Sequence, residues 1–179
     1  DAYLPRPTKE NPGAGERNEQ GDVVEVAESK HFRLLWSERS RGMGFDPNGH
    51  VRGTLRNLEE SWQILVKEVG LCEPSESWTA AKRDGARYKT NVSTYHTGYW
   101  AGAESGDFGR LNVTADGLRV DPPTWVIPHE LGHVFQMHQE HALKGEWWEC
   151  HANYLRERWL DAWHVVDPNP RGGSNLDPA

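Results

Sequence analysis

The rhythm of apolar and polar positions changes several times along the chain, and each change marks an element. After residue 20, "DVVEVAES" and "HFRLLWS" are short β-branched and aromatic runs bounded by polar residues, which predicts two strands. The "ERSR" charge run from Glu38 to Arg41 reads as a solvated turn, and "RGMGFDPNGH" breaks the chain with turn residues. In "GTLRNLEESWQILVKEVG", Leu55, Leu58, Trp62, Leu65, Val66 and Val69 recur at helical spacing, with Gly70 as a C-terminal stop. "ARYKTNVSTYHTGYW" alternates as a strand does, and "GYWAGAESGDFGR" follows as a glycine-rich loop. "RLNVTA" and "GLRVD" predict two further short strands.

A second helix is expected from about Trp125 to His141, capped by Thr124, with Pro128 in the first turn where a missing N–H costs little. A turn at Lys144 and Gly145 brings the chain back into a third helix, "EWWECHANYLRERWLDAWH". The first twenty residues are rich in Pro, Gly and charge and carry little apolar surface, so they read as a flexible arm. Residues 21–165 form the folded domain, and the Pro/Gly-rich residues 166–179 read as a loose tail. The expectation is an α+β domain: a small twisted mixed sheet, one helix packed across it, then the two C-terminal helices.

The chemistry concentrates in those two helices. In "HELGH", His129 and His133 are four residues apart, so on a helix they lie on one face and their ring nitrogens can converge on one ion. Glu130 stands beside that face, where a carboxylate can act as general base toward an activated water. Catalytic zinc takes three protein ligands, and the residue ten past the first histidine is Gln139, so the ligand sought downstream is a glutamate. Glu149 is the choice, with Glu146 next and Glu157 third. Asn153, one turn after Glu149, can accept the second N–H of a ligating histidine, while Ala152 keeps the helix surface low enough for close approach. Gln136 also faces the presumed metal. Tyr154, His151, Tyr95 and His96 are candidate donors to a developing oxyanion, and substrate is expected along an edge strand, Leu111–Thr114 or Leu118–Val120, bordered by the Gly98–Gly109 loop.

"HELGH" followed by a helix carrying "ExxAN" resembles the gluzincin metallopeptidases. That resemblance implies a zincin-like fold, one Zn2+ per chain held by His129, His133 and Glu149, Glu130 as base, and Asn153 and Gln136 behind the ligands. Over about residues 29–160, "SKHFRLLW", "LRNLEESWQILVKEVG", "YKTNV", "HELGHVFQ" and "WWECHAN" are similar to a microbial family whose function is uncharacterised.

Composition narrows the partners. A net charge of -7 gives no basic footprint for nucleic acid, and no apolar run approaches the roughly 20 residues of a membrane span. Cys72 and Cys150 are candidates for one disulfide, and the sequons at Asn91 and Asn112 are candidate glycosylation sites. With a start at Asp1, these features favour a secreted glycoprotein. The expected function is a zinc hydrolase acting on a peptide or protein. Nine tryptophans motivate an alternative, a carbohydrate-acting or carbohydrate-binding protein with a Trp-lined groove for a glycan or glycoprotein. A third reading is a non-catalytic module that keeps the helix pair.

Overall fold

The computed structural model of the chain describes residues 2–74, 86–97, 101–104, 109–118, 125–139, 145 and 147–164. Its elements are β1 (Val24–Glu28), β2 (Phe32–Ser37), α1 (Glu38–Gly42), α2 (Pro47–Gln63), a π-helical continuation (Ile64–Glu68), β3 (Thr90–Ser93), β4 (Ala101–Glu104), β5 (Arg110–Val113), α3 (Ala115–Leu118), α4 (Val126–Gln136) and α5 (Trp147–His164). The class is α+β, as expected. The five strands form one mixed sheet in the order β1-β2-β3-β5-β4, with β2, β3 and β5 parallel and both edge strands antiparallel to their neighbours.

The strand period of two separates the sheet's faces. Phe32, Leu34, Trp36, Val92, Leu111 and Val113 point to one side and bury themselves against Leu58, Trp62 and Leu65 from the first long helix and Ile127, Leu131, Val134 and Phe135 from α4. This is the main core, and it fixes α4 to the sheet. The other face is polar, carrying Arg33, Asn91, Ser93 and Asn112 with a small cluster of Val24, Leu35 and Tyr95.

That polar face is what holds residues 2–20, which were expected to be flexible. Leu4 makes a parallel bridge to Tyr88, its N–H donating to Arg87 O at 2.8 Å and its carbonyl accepting from Lys89 N at 2.9 Å. Arg33, 2% exposed, donates to Pro12 O at 3.0 Å, Asn91 donates to Arg6 O at 3.1 Å, and the Tyr95 hydroxyl donates to Glu10 O at 2.7 Å. The segment has little apolar surface of its own because it is tied down through its backbone carbonyls.

Four local expectations change. "FDPNGH" opens a helix rather than breaking the chain: Asp46 accepts from Asn48 N at 3.1 Å as N-cap, and Pro47 occupies the first turn. "ERSR" is the short α1, with Ser40 buried. The glycine-rich stretch contains β4, an edge strand, so the 98–109 region is not a plain loop. Leu118 ends the short helix α3 rather than beginning a strand. Residues 119–124, with the expected cap Thr124, and the tail 166–179 lie outside the described residues.

Two contacts tie the sheet to the helices. Glu59 of α2 accepts from Ser29 Oγ at 2.6 Å and from His31 N at 2.8 Å, and pairs with His31 Nδ1 at 2.6 Å, clasping the β1–β2 turn. Burial pushes the Glu59 carboxyl up, but the His31 and Ser29 hydrogen bonds together outweigh it and hold it below the ordinary carboxylate range. At the start of β5, Gly109 has φ +68°, and a Cβ there would stand 2.2 Å from Val134 Cγ1 and 3.3 Å from His138 Cε1.

A carboxylate whose folded pKa is depressed contributes stability above its unfolded pKa of roughly 4.3 and loses it as pH falls through the folded value. Glu59→Gln is therefore expected to lower stability by about 1–2 kcal/mol at pH 7, with the gap closing below about pH 4, in urea titrations across pH. Gly109→Ala combines left-handed backbone with overpacking and is expected to cost about 2–4 kcal/mol. Adding Val134→Ala should recover part of that loss in the same assay.

Candidate metal centre

Helix α4 presents its histidines at the seam with α5. Pro128 sits in its first turn, and its apolar residues Ile127, Leu131, Val134 and Phe135 face the core, which turns His129 and His133 toward the third long helix. The helices approach closely at Gly132: a Cβ built there would lie 3.1 Å from Leu155 Cδ1 and 3.7 Å from the Cα of Ala152. The helix therefore ends at Gln136, in a turn through Gln139, rather than continuing to His141.

This approach brings Glu149 over the histidine pair. His129 Nε2 lies 3.3 Å from one carboxylate oxygen and His133 Nε2 lies 3.2 Å from the other. A ligand atom from each of the three residues lies within 4.8 Å of the others. In a tetrahedron with bonds of about 2.0–2.1 Å, ligand atoms stand roughly 3.3–3.4 Å apart; each histidine nitrogen is at about that distance from its own oxygen of Glu149, while the three-residue set spans up to 4.8 Å. Two imidazoles and one carboxylate are also a donor set that zinc takes.

Each histidine is held from behind by an amide, as the spacing suggested. His129 Nδ1 is 3.1 Å from Asn153 Oδ1, and His133 Nδ1 is 2.7 Å from Gln136 Oε1. Trp125 meets His129 edge-on at 6.4 Å, while Trp148 stacks on His133 at 5.1 Å and 10°. Burial, then the neighbouring His133, lowers the pKa of His129, which favours the neutral ring. Glu130 is pushed up to about 7, first by burial and then by the charge of Glu149. A carboxyl that exchanges its proton near neutrality is suited to general acid–base work.

The chain belongs to the family described as "Family of unknown function (DUF6055)", whose pattern it matches over residues 2–168. No curated protein and no solved structure matches it.

Other expected site residues fall elsewhere. Glu146 lies outside the described residues, and Glu157 pairs with Arg156 at 2.6 Å. Tyr95 is buried on the polar face of the sheet under the N-terminal segment, away from α4, and His96 stacks beside it at 5.4 Å. Tyr154 is exposed and stacks on His151, about 140° around α5 from Glu149. His151 contacts Gln136 rather than open solvent. His138 is buried, with Nδ1 2.7 Å from Val134 O.

Both sequons fail on burial. Asn91 (6% exposed) lies in β3 and accepts from Arg33 at 2.7 Å, and Asn112 (1% exposed) lies in β5 and accepts from Ser93 Oγ at 2.7 Å. Neither side chain can carry a glycan in the folded chain. Cys72 and Cys150 are both exposed and are not joined to each other, so the expected disulfide is not formed. Cys72 is held by Gln139, which accepts from its N–H at 3.0 Å and donates to its carbonyl at 2.7 Å, whereas Cys150 lies on an exposed part of α5. These features no longer argue for secretion. Native protein without reductant is expected to show two reactive thiols in an Ellman titration; a count of zero would restore the bridge.

Proposed function

We propose that the chain is a zinc-dependent hydrolase with a gluzincin-type, zincin-like site, and that its substrate is a peptide or protein. The observation that carries this reading is the convergence of His129 Nε2, His133 Nε2 and the Glu149 carboxylate within 4.8 Å of one another, with Glu130 on the same helix as the histidines. Zinc, when bound, supplies a Lewis acid that acidifies water to a pKa of roughly 7 and polarises a carbonyl.

The chain's own residues do the rest. His129 and His133 supply neutral nitrogen donors in fixed orientations, and Glu149 supplies the anionic donor. Glu130, whose carboxyl titrates about neutrality, takes a proton from the attacking water and returns it to the leaving amine. Among the described residues β4 is an edge strand, and an extended peptide can add along its outer side. That edge replaces the two segments expected from sequence, since β5 is internal to the sheet and Leu118 is helical. No helix among the described residues is long and apolar enough to cross a membrane.

The carbohydrate reading rested on tryptophans lining a groove. Trp36, Trp62 and Trp159 are buried in the core, and Trp148 packs on His133. Trp147 is 69% exposed, but it sits about 160° around α5 from Glu149. The tryptophans whose side chains are described therefore favour the peptidase reading, while Trp78 and Trp100 lie outside the described residues.

Elemental mass spectrometry of the purified chain is expected to find near one zinc per molecule, lost in Glu149→Ala. Glu130→Gln should keep the metal while lowering cleavage of a quenched peptide library by about 10²–10⁴-fold. Wild-type protein that takes up no zinc after loading would overturn the proposal.

A further inference from the structure

We propose that Gln136 is a positioning residue that sets the proton on His133 before any metal arrives. Its geometry stands alone, while its consequence for zinc rests on the proposed function.

A glutamine amide offers one acceptor and two N–H donors. The Trp148 carbonyl can only accept, so the Gln136 atom 3.0 Å away is the amide nitrogen. The same nitrogen is 2.8 Å from His151 Nδ1, which places the second N–H on that ring and makes His151 Nδ1 the acceptor. The amide oxygen is then left facing His133 Nδ1 at 2.7 Å, so the histidine donates from Nδ1. When the ring is neutral the lone pair lies on Nε2; the Glu149 oxygen 3.2 Å away also only accepts, so that pair is complete only with a cation between them, which is the place of the metal.

Both N–H donors and one lone pair of the amide oxygen are used, and Gln136 is 2% exposed, so water does not compete for them. Turning the amide over would set its NH2 against His133 and its oxygen against the Trp148 carbonyl, leaving a buried mismatch at both ends. The Trp148 ring, nearly parallel to the imidazole, limits its rotation from one side. Gln136 thus makes the His133 tautomer a property of the fold, and joins it to the first turns of α5, the helix that carries Glu149. His151 and Trp148 act through Gln136 and need not touch metal or substrate.

A merely structural tie between α4 and α5 would behave differently under substitution. Gln136→Glu keeps an acceptor for His133 but has no N–H for Trp148 or His151; Gln136→Met and Gln136→Ala remove both functions. The first readout is the ¹⁵N imidazole spectrum of metal-free protein, which reports the tautomer directly. The second is zinc affinity by competition with a chromophoric chelator. Wild type is expected to show His133 protonated on Nδ1. The Met and Ala variants should show mixed tautomers and bind zinc about 10–100-fold more weakly, whereas the Glu variant, whose second oxygen meets the Trp148 carbonyl in the same buried mismatch, should lose affinity but keep the Nδ1 tautomer. A wild-type His133 whose neutral ring is protonated on Nε2, Met and Ala variants that bind like wild type, or a Glu variant with mixed tautomers would each overturn the proposal. Wild type that shows the Nδ1 tautomer yet binds no zinc would instead sink the metal reading and leave the tautomer lock standing.

Discussion

The close approach of α4 and α5 at Gly132 and Ala152 is the constraint on which the site depends. A hydrogen on one helix and a methyl on the other let the backbones meet, with the built Cβ of Gly132 only 3.7 Å from the Ala152 Cα. Glu149, Asn153 and Trp148 reach the histidines because that contact sets the helix separation. Larger residues at this point would push α5 outward and lift the glutamate from the imidazole nitrogens. The same seam admits Asn153 and Gln136 as bridges, so packing and ligand geometry share one origin.

Beneath the helices, the sheet is covered on both faces by different means. The apolar face packs against helices through the hydrophobic effect, with Phe32, Leu34, Val92 and Leu111 all at 0–1% exposure. The polar face could not be sealed that way. Residues 2–20 close it through hydrogen bonds from Arg33, Asn91 and Tyr95 to their carbonyls. The β3–β5 part of the sheet is thereby buried between two layers, and α4 rests on a rigid support.

Legibility in the sequence followed the range of the determining interaction. The histidine pair, Glu149 and Asn153 were readable because helical periodicity is local and fixes which residues share a face. The start of α2 was readable too, in Asp46 followed by Pro47, but the neighbouring Asn-Gly pair suggested a turn and masked it. Long-range facts were not readable. Asn91 and Asn112 form ordinary sequons, and only the strand order β3-β5-β4 shows that they are interior. The edge strand β4, Ala-Gly-Ala-Glu, has none of the β-branched residues that signal a strand and owes its conformation to pairing with β5. The N-terminal segment was misread because its own apolar content was counted, when the donors that order it belong to β2, β3 and the residues just after.

The three presumed ligands are not held alike, and the difference gives the site its logic. His129 and His133 are largely buried on a helix locked to the sheet, and each is oriented by an amide. Glu149 is 64% exposed near the start of α5, whose placement over the histidines depends on its contact with α4. If α5 shifted, the histidine pair would survive as a two-ligand site and the third ligand would be lost. A ligand that binds only the docked arrangement stabilises that arrangement by mass action. A metal held by all three residues therefore favours the docked position of α5, so that the third ligand and the helix seam are stabilised together.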